Sequence, residues 1–184
     1  RAVVPSMIRN KSGAIINVRD SAPIFSGLLF GPVSGIISGV IGGTYRALSV
    51  LWGAGTATVV ACSISTFMCG VTAAILRIFM FDNKRPTIGY AIGITVICEI
   101  FHMLMIFVTN MRNIQLAYQF VSECTYLMII CNVVCVLLST VIVAIINKDK
   151  IWFNFKQEGI AQKFQRWLLI CILISFFLTS SFSI

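Results

Sequence analysis

Glu99 and His102 stand one helical turn apart in the middle of an apolar run from Pro86 to Thr109. An ionisable side chain at such a depth is costly and normally faces a bundle interior or an aqueous path. A glutamate there is either protonated or bonded to His102. The pair reads in two ways, as a proton-linked switch or polar ligand contact, or as a satisfied interhelical hydrogen bond. Asn132, deep in a second run over 120–147, is placed for an interhelical hydrogen bond of its own. Metal is not expected, because His102 is the only histidine and cysteines would have to complete a site. Arg19 and Arg46 bracket an uncharged stretch from Ser21 to Tyr45. Arginines at the ends of membrane helices ordinarily anchor by snorkelling to the interface, and that reading stands beside a functional one.

Whether the two arginines can meet depends on the stretch between them. Gly27, Gly31, Gly35, Gly39 and Gly43 recur at every fourth residue, and Pro32 interrupts the series. Glycine at that spacing strips a helix flank so that another backbone can approach, which is how helices associate in lipid. Proline removes a backbone donor, and such a break at membrane depth is tolerated where it faces protein or a water-filled cavity. Packing alone, or packing that also borders a binding cavity, would explain the pattern. Arg19 and Arg46 are 27 positions apart, so one continuous helix would separate them by about 40 Å. A turn at Gly31-Pro32 would instead return Arg46 to the side of Arg19, with each arm too short to span alone.

The composition makes the bilayer the solvent. Of the residues, 58% are hydrophobic and 11% charged, and the mean hydropathy is +0.95, which excludes an ordinary soluble domain. A net charge of +8 would suggest nucleic acid in a soluble protein. Here the Lys and Arg residues fall between apolar runs and read as topology markers, so no nucleic acid is expected. Seven cysteines lie inside apolar runs with no C-x-x-C pair and read as small apolar filler. Arg1 in place of an initiator Met, with no signal-peptide pattern, is expected of a fragment or processed portion of a longer chain.

Five apolar stretches, at about 21–45, 56–81, 87–109, 120–147 and 167–184, approach or exceed the length of a spanning helix. Charge, Gly or Pro marks the links. The segment 147–166 mixes Lys148, Lys150, Lys156, Lys163 and Arg166 with Trp152, Phe153, Phe155 and Phe164, the composition of an interfacial amphipathic segment on an anionic leaflet. With Lys84 and Arg85 it points to the cytoplasm. There is no G-x-S-x-G elbow, H-E-x-x-H, phosphate loop or close carboxylate pair, so catalysis is not expected of this chain.

Asn17-Val18-Arg19-Asp20, Gly27-Leu28-Leu29-Phe30-Gly31-Pro32, Gly42-Gly43-Thr44-Tyr45-Arg46, Cys62-Ser63-Ile64-Ser65-Thr66 and Glu99-Ile100-Phe101-His102-Met103 follow one another in order. Together they resemble the membrane domain of LytS/YhcK-type five-transmembrane receptors of bacterial sensor kinases and related signalling proteins, over roughly residues 13–147. The resemblance implies ligand sensing in the membrane, with output from a separate cytoplasmic domain. Pyruvate-responsive members imply that Arg19, Arg46, Cys62 and Ser65 contact the ligand. The chemistry is compatible: guanidinium groups hold carboxylates bidentately, and a hydroxyl at i+3 can donate to an oxygen on the same face. Without the resemblance, Cys62 and Ser65 read as packing residues. Asp20 stands where the family carries a small residue, and a carboxylate there could neutralise Arg19, which leaves the identity of the anion open.

The expectation is an all-α integral membrane protein, a helical bundle of about five to six transmembrane segments with a Gly/Pro-broken, re-entrant or kinked first segment. Residues 1–147 form the sensor domain, 148–166 a cytoplasmic amphipathic linker and 167–184 an additional transmembrane helix. It would sit in the bacterial plasma membrane and bind a small carboxylate or envelope-derived ligand. No cofactor is expected. Its other partners would be lipid, a second copy of the chain and a cytoplasmic output domain. A substrate-binding membrane component of a metabolite or vitamin transporter is the alternative, and a purely structural assembly module the third reading.

Overall fold

The computed structural model describes residues 19–52, 58–148, 159–160, 163–165 and 170. Among these, every regular element is helical. The first, α1, is Ser21–Phe25 and continues as one wide π turn over Ser26–Phe30. It is followed by α2 (Pro32–Leu48), α3 (Val59–Phe79), α4 (Ile88–Thr109) and α5 (Ile114–Ile146). The protein is an all-α membrane bundle. Three helices, α3, α4 and α5, are long and apolar enough to cross a membrane, and the two arms of the first segment, α1 with its π turn and α2, pack beside them. Most of the expected linker at 148–166 and the whole 167–184 run except Ile170 lie outside the described residues.

The chain reverses at Gly31. Its φ of 134° and ψ of 166° fall in a region open essentially to glycine alone. Pro32 then occupies the first turn of α2, where its missing N–H costs nothing. The two arms therefore form a hairpin, and the four-residue glycine spacing lets the backbones meet. A methyl group built on Gly35 would fall 2.6 Å from the Gly27 Cα, and one on Gly43 would fall 2.9 Å from the Ser63 carbonyl oxygen of α3. Gly70 of α3, without a mark in the four-residue series, supplies the flat surface facing Gly35 and Gly39.

The break frees carbonyls that must find partners outside their own helix. Two arginines from other elements take them. Buried Arg77 of α3 donates to the Leu28 carbonyl and, at 2.9 Å, to that of Asn83. Arg85 donates to the Leu29 carbonyl at 3.3 Å and to the Asn147 side chain at 3.4 Å. The hairpin tip, the α3–α4 turn and the end of α5 are thereby gathered at one end of the bundle. Ile160 is buried in the apolar cluster that holds Phe81 there, and Lys163 pairs with Asp82.

Boundaries differ most at α5. Its apolar run begins near 120, but the helix starts at Ile114, where the Asn113 side chain accepts from the Leu116 N–H at 3.3 Å. The first turns carry Gln115, Gln119 and Glu123, and exposed Gln119 donates to Glu123 at 3.3 Å. With 33 residues the helix is about 50 Å long, well beyond a hydrocarbon core of about 30 Å, so polar turns extend past the lipid. Large apolar side chains such as Ile97, Ile100, Leu104, Leu138 and Ile142 are exposed, as expected where the surroundings are acyl chains.

Candidate functional site

The bundle interior contains two apolar clusters. One gathers Ile24, Cys69, Ala73, Cys98 and Val136, the other Ala61, Met103, Ile106, Ala117 and Met128. Between them, by position along α3, α4 and α5, lies a polar layer of Asp20, Ser65, Thr66, Glu99, His102 and Asn132, each at most 1% exposed. Buried polar groups at this depth must find partners within the protein.

The layer is held from several elements. Thr66 of α3 donates to Asp20 Oδ1 and lies 2.8 Å from the Cys62 carbonyl, while Arg19 Nε donates to the Thr66 hydroxyl at 3.2 Å. Asp20 Oδ2 touches His102 Nδ1 at 2.5 Å, shorter than an ordinary N–H···O bond. The other ring nitrogen, His102 Nε2, faces Cys62 Sγ at 3.3 Å. Asn132 Nδ2 of α5 donates to Glu99 Oε1 at 2.7 Å. Glu99 and His102, neighbours on one helix turn, thus reach in different directions, one to α5 and the other to Asp20 and α3.

The arginines both reach α3. Arg46 Nη2 donates to Thr58 Oγ1 at 3.3 Å and Arg46 Nη1 to Ser49 Oγ at 2.7 Å. Thr58, Cys62 and Thr66 form one stripe at i, i+4 and i+8, so Arg46 is anchored one turn to one side of Cys62 and Arg19 one turn to the other. Ser65, on the next turn from Cys62, is fully buried, and its hydroxyl has no partner among the described residues. Asp20, expected to neutralise Arg19, directs its carboxylate oxygens to Thr66 and His102, and meets Arg19 through the shared Thr66 hydroxyl. The packing glycines Gly27, Gly35, Gly39 and Gly43 lie along the hairpin and its α3 seam, where Gly39 packs against the Thr66 carbonyl and Gly43 against that of Ser63.

Sequence patterns did not single out Thr66, a threonine among small residues, or the full reach of Asp20, which lies outside the apolar runs. Arg77 gave one signal, a charge inside an apolar run.

The family described as the 5TMR of 5TMR-LYT matches residues 2–146. The chain belongs to this family. Its five-transmembrane receptor domain is a receptor rather than a catalytic module, and the chain is a multi-pass plasma-membrane protein. Over 96 residues the receptor domain is 32% identical to the sensor histidine kinase YpdA of Escherichia coli (strain K12), an alignment covering 52% of this chain and 16% of that kinase. The 5TMR chain therefore spans a small part of that relative's length. No solved structure matches it.

Proposed function

We propose that this domain senses a small carboxylate, held by Arg19 and Arg46 over the α3 stripe, with Cys62 and Ser65 beneath it, and that it reports occupancy to a cytoplasmic output domain. The observation that carries this reading is the approach of both guanidinium groups to one helix face, at Thr66 and Thr58, on either side of Cys62. Two cations against one face suit an anion, and Arg forks suit a carboxylate. The buried Ser65 hydroxyl, partnerless among the described residues, supplies a further donor.

Transmission follows from the hairpin. Ligand can shift the bundle only through unequal affinity for two packings. The hairpin carries Arg19 and Arg46 at its two ends, packs against α3 along glycine, and delivers the Leu28 and Leu29 carbonyls to Arg77 and Arg85 at its tip. Lys84, Arg85, Lys148 and Lys163 near that tip support a cytoplasmic position for it under the positive-inside rule. The Asp82–Lys163 pair and buried Ile160 connect it to the segment that follows α5. A signalling kinase as the output is supported by the likeness to the YpdA kinase.

Thermal-shift titration of purified protein with pyruvate, lactate and acetate tests the reading. At least one should raise the melting temperature saturably, and Arg46→Ala should weaken that response by about tenfold or more, as loss of a charge-assisted contact requires. Equal titrations for the two proteins would remove Arg46 from the site.

A further inference from the structure

Asp20, from the turn before α1, meets Glu99 and His102 of α4 in the polar layer. Each offers one ligand atom, these atoms lie within 4.8 Å of one another, and all three residues are buried. Every member has one polar atom fixed from outside the cluster. Asp20 Oδ1 accepts from Thr66, Glu99 Oε1 accepts from Asn132 at 2.7 Å, and His102 Nε2 faces Cys62 Sγ at 3.3 Å. The second atom of each, Asp20 Oδ2, Glu99 Oε2 and His102 Nδ1, forms no aligned hydrogen bond among the described residues, although Asp20 Oδ2 and His102 Nδ1 touch at 2.5 Å.

The outer atoms are anchored, Glu99 Oε2 is unclaimed, and Asp20 Oδ2 and His102 Nδ1 meet only each other; metal ligands have such a supporting shell, in which each ligating His or carboxylate is oriented by a hydrogen bond at its far atom. We propose that Asp20, Glu99 and His102 bind a divalent first-row transition-metal ion. One imidazole and two carboxylates suit Mn2+, Fe2+ or Zn2+, whereas Mg2+ resists dehydration in so closed a setting. A dication also balances two carboxylates that would otherwise repel each other in a water-poor layer.

Binding requires the Asp20–His102 contact to open to about 3.4 Å, the separation of two ligand atoms each roughly 2.1 Å from a tetrahedral ion. Side-chain rotation can supply that change. The ion would clip the start of the hairpin to α4, so that hairpin packing depends on its presence. This departs from the absence of metal expected when only cysteines could join the sole histidine. The fold adds Asp20, 79 positions before Glu99. The inference uses neither arginine, although Cys62 and Thr66, which the anion reading also uses, touch His102 and Asp20.

Co2+ titration of untagged, chelator-stripped protein in detergent tests it through the visible ligand-field bands of the bound ion. Wild type should bind one Co2+ per chain, displaced by Zn2+. Glu99→Gln and His102→Gln should each lower affinity at least tenfold, and Asn132→Ala, which touches only the supporting shell, by about 10- to 100-fold. Arg46→Ala should keep full Co2+ binding whether or not it responds to carboxylates. Wild-type protein that develops no bands and retains no Zn2+ or Mn2+ by elemental analysis overturns the proposal, whatever the folding of the variants. So does unchanged affinity in folded Glu99→Gln.

Discussion

Gly27 and Gly35, on opposite arms of the hairpin, meet backbone to backbone: a methyl group on Gly35 would come within 2.6 Å of the Gly27 Cα. The neighbour is main chain on a packed helix, so it cannot swing aside. Gly35→Ala should therefore destabilise the domain by about 1–3 kcal/mol, the usual penalty of overpacking. Gly93 of α4 has nothing within 4 Å of its added methyl, so Gly93→Ala should be neutral or mildly stabilising. Thermal melting of the two variants in the same detergent checks the contrast.

Gly31 is constrained by its backbone alone. No atom would meet its added methyl, but its φ is +134°. Gly31→Ala should cost about 1–3 kcal/mol through strain. Replacing exposed Val33, two residues later, by Ala should cost less than half as much. A Gly31→Ala melting curve superimposed on wild type would contradict the sharp reversal.

Arg77 closes the break from the side, serving the Leu28 and Asn83 carbonyls at once. Arg77→Met should lower stability by about 1–3 kcal/mol by leaving carbonyls unpaired in a water-poor setting. Arg77→Lys should recover only part of that, because a single ammonium lacks the guanidinium fork that spans two acceptors. Denaturant or thermal unfolding of the three proteins gives the ranking.

Asn132 and Glu99 form a coupled pair between α5 and α4, joined at 2.7 Å. Asn132→Leu leaves a buried carboxyl oxygen without its donor and should cost about 1–3 kcal/mol. Glu99→Leu removes the acceptor that the Asn132 amide reaches at 2.7 Å. The double variant Glu99→Leu/Asn132→Leu should cost less than the sum of the two single changes, because both partners of the contact are removed together. Additive costs would mean that the contact contributes nothing to the bundle.

Much of the fold was legible because the bilayer imposes one solvent on every helix. The runs at 56–81 and 87–109 enclose α3 (Val59–Phe79) and α4 (Ile88–Thr109) within a few residues. The start of α5 was not, since Gln115, Gln119 and Glu123 lie on a helix that continues where hydropathy no longer marks it. The glycine series and Gly31-Pro32 signalled close packing and a break, but not Gly70, whose isolation in α3 leaves no periodic trace. At the site, Glu99, His102 and Asn132 were conspicuous as polar residues in apolar runs. Their pairing was not: two ionisable residues one turn apart suggest bonding to each other, whereas the bundle sends Glu99 to Asn132 and His102 to Asp20. Which neighbour a buried polar group meets is decided by helix rotation, and a single sequence carries little of that.

The reversal that returns Arg46 to the side of Arg19 underlies the whole functional reading, and a distance across the hairpin tests it directly. Spin labels at exposed Ala22 and Thr44, in a background with the native cysteines replaced, measure it by pulsed electron resonance. Ala22 lies two residues from Asp20 and Thr44 two residues from Gly42, both of which meet Thr66, so the hairpin predicts a distribution centred below about 20 Å, whereas an unbroken helix of 1.5 Å rise would put them about 33 Å apart. A distribution centred near the longer value would contradict the shared arginine site.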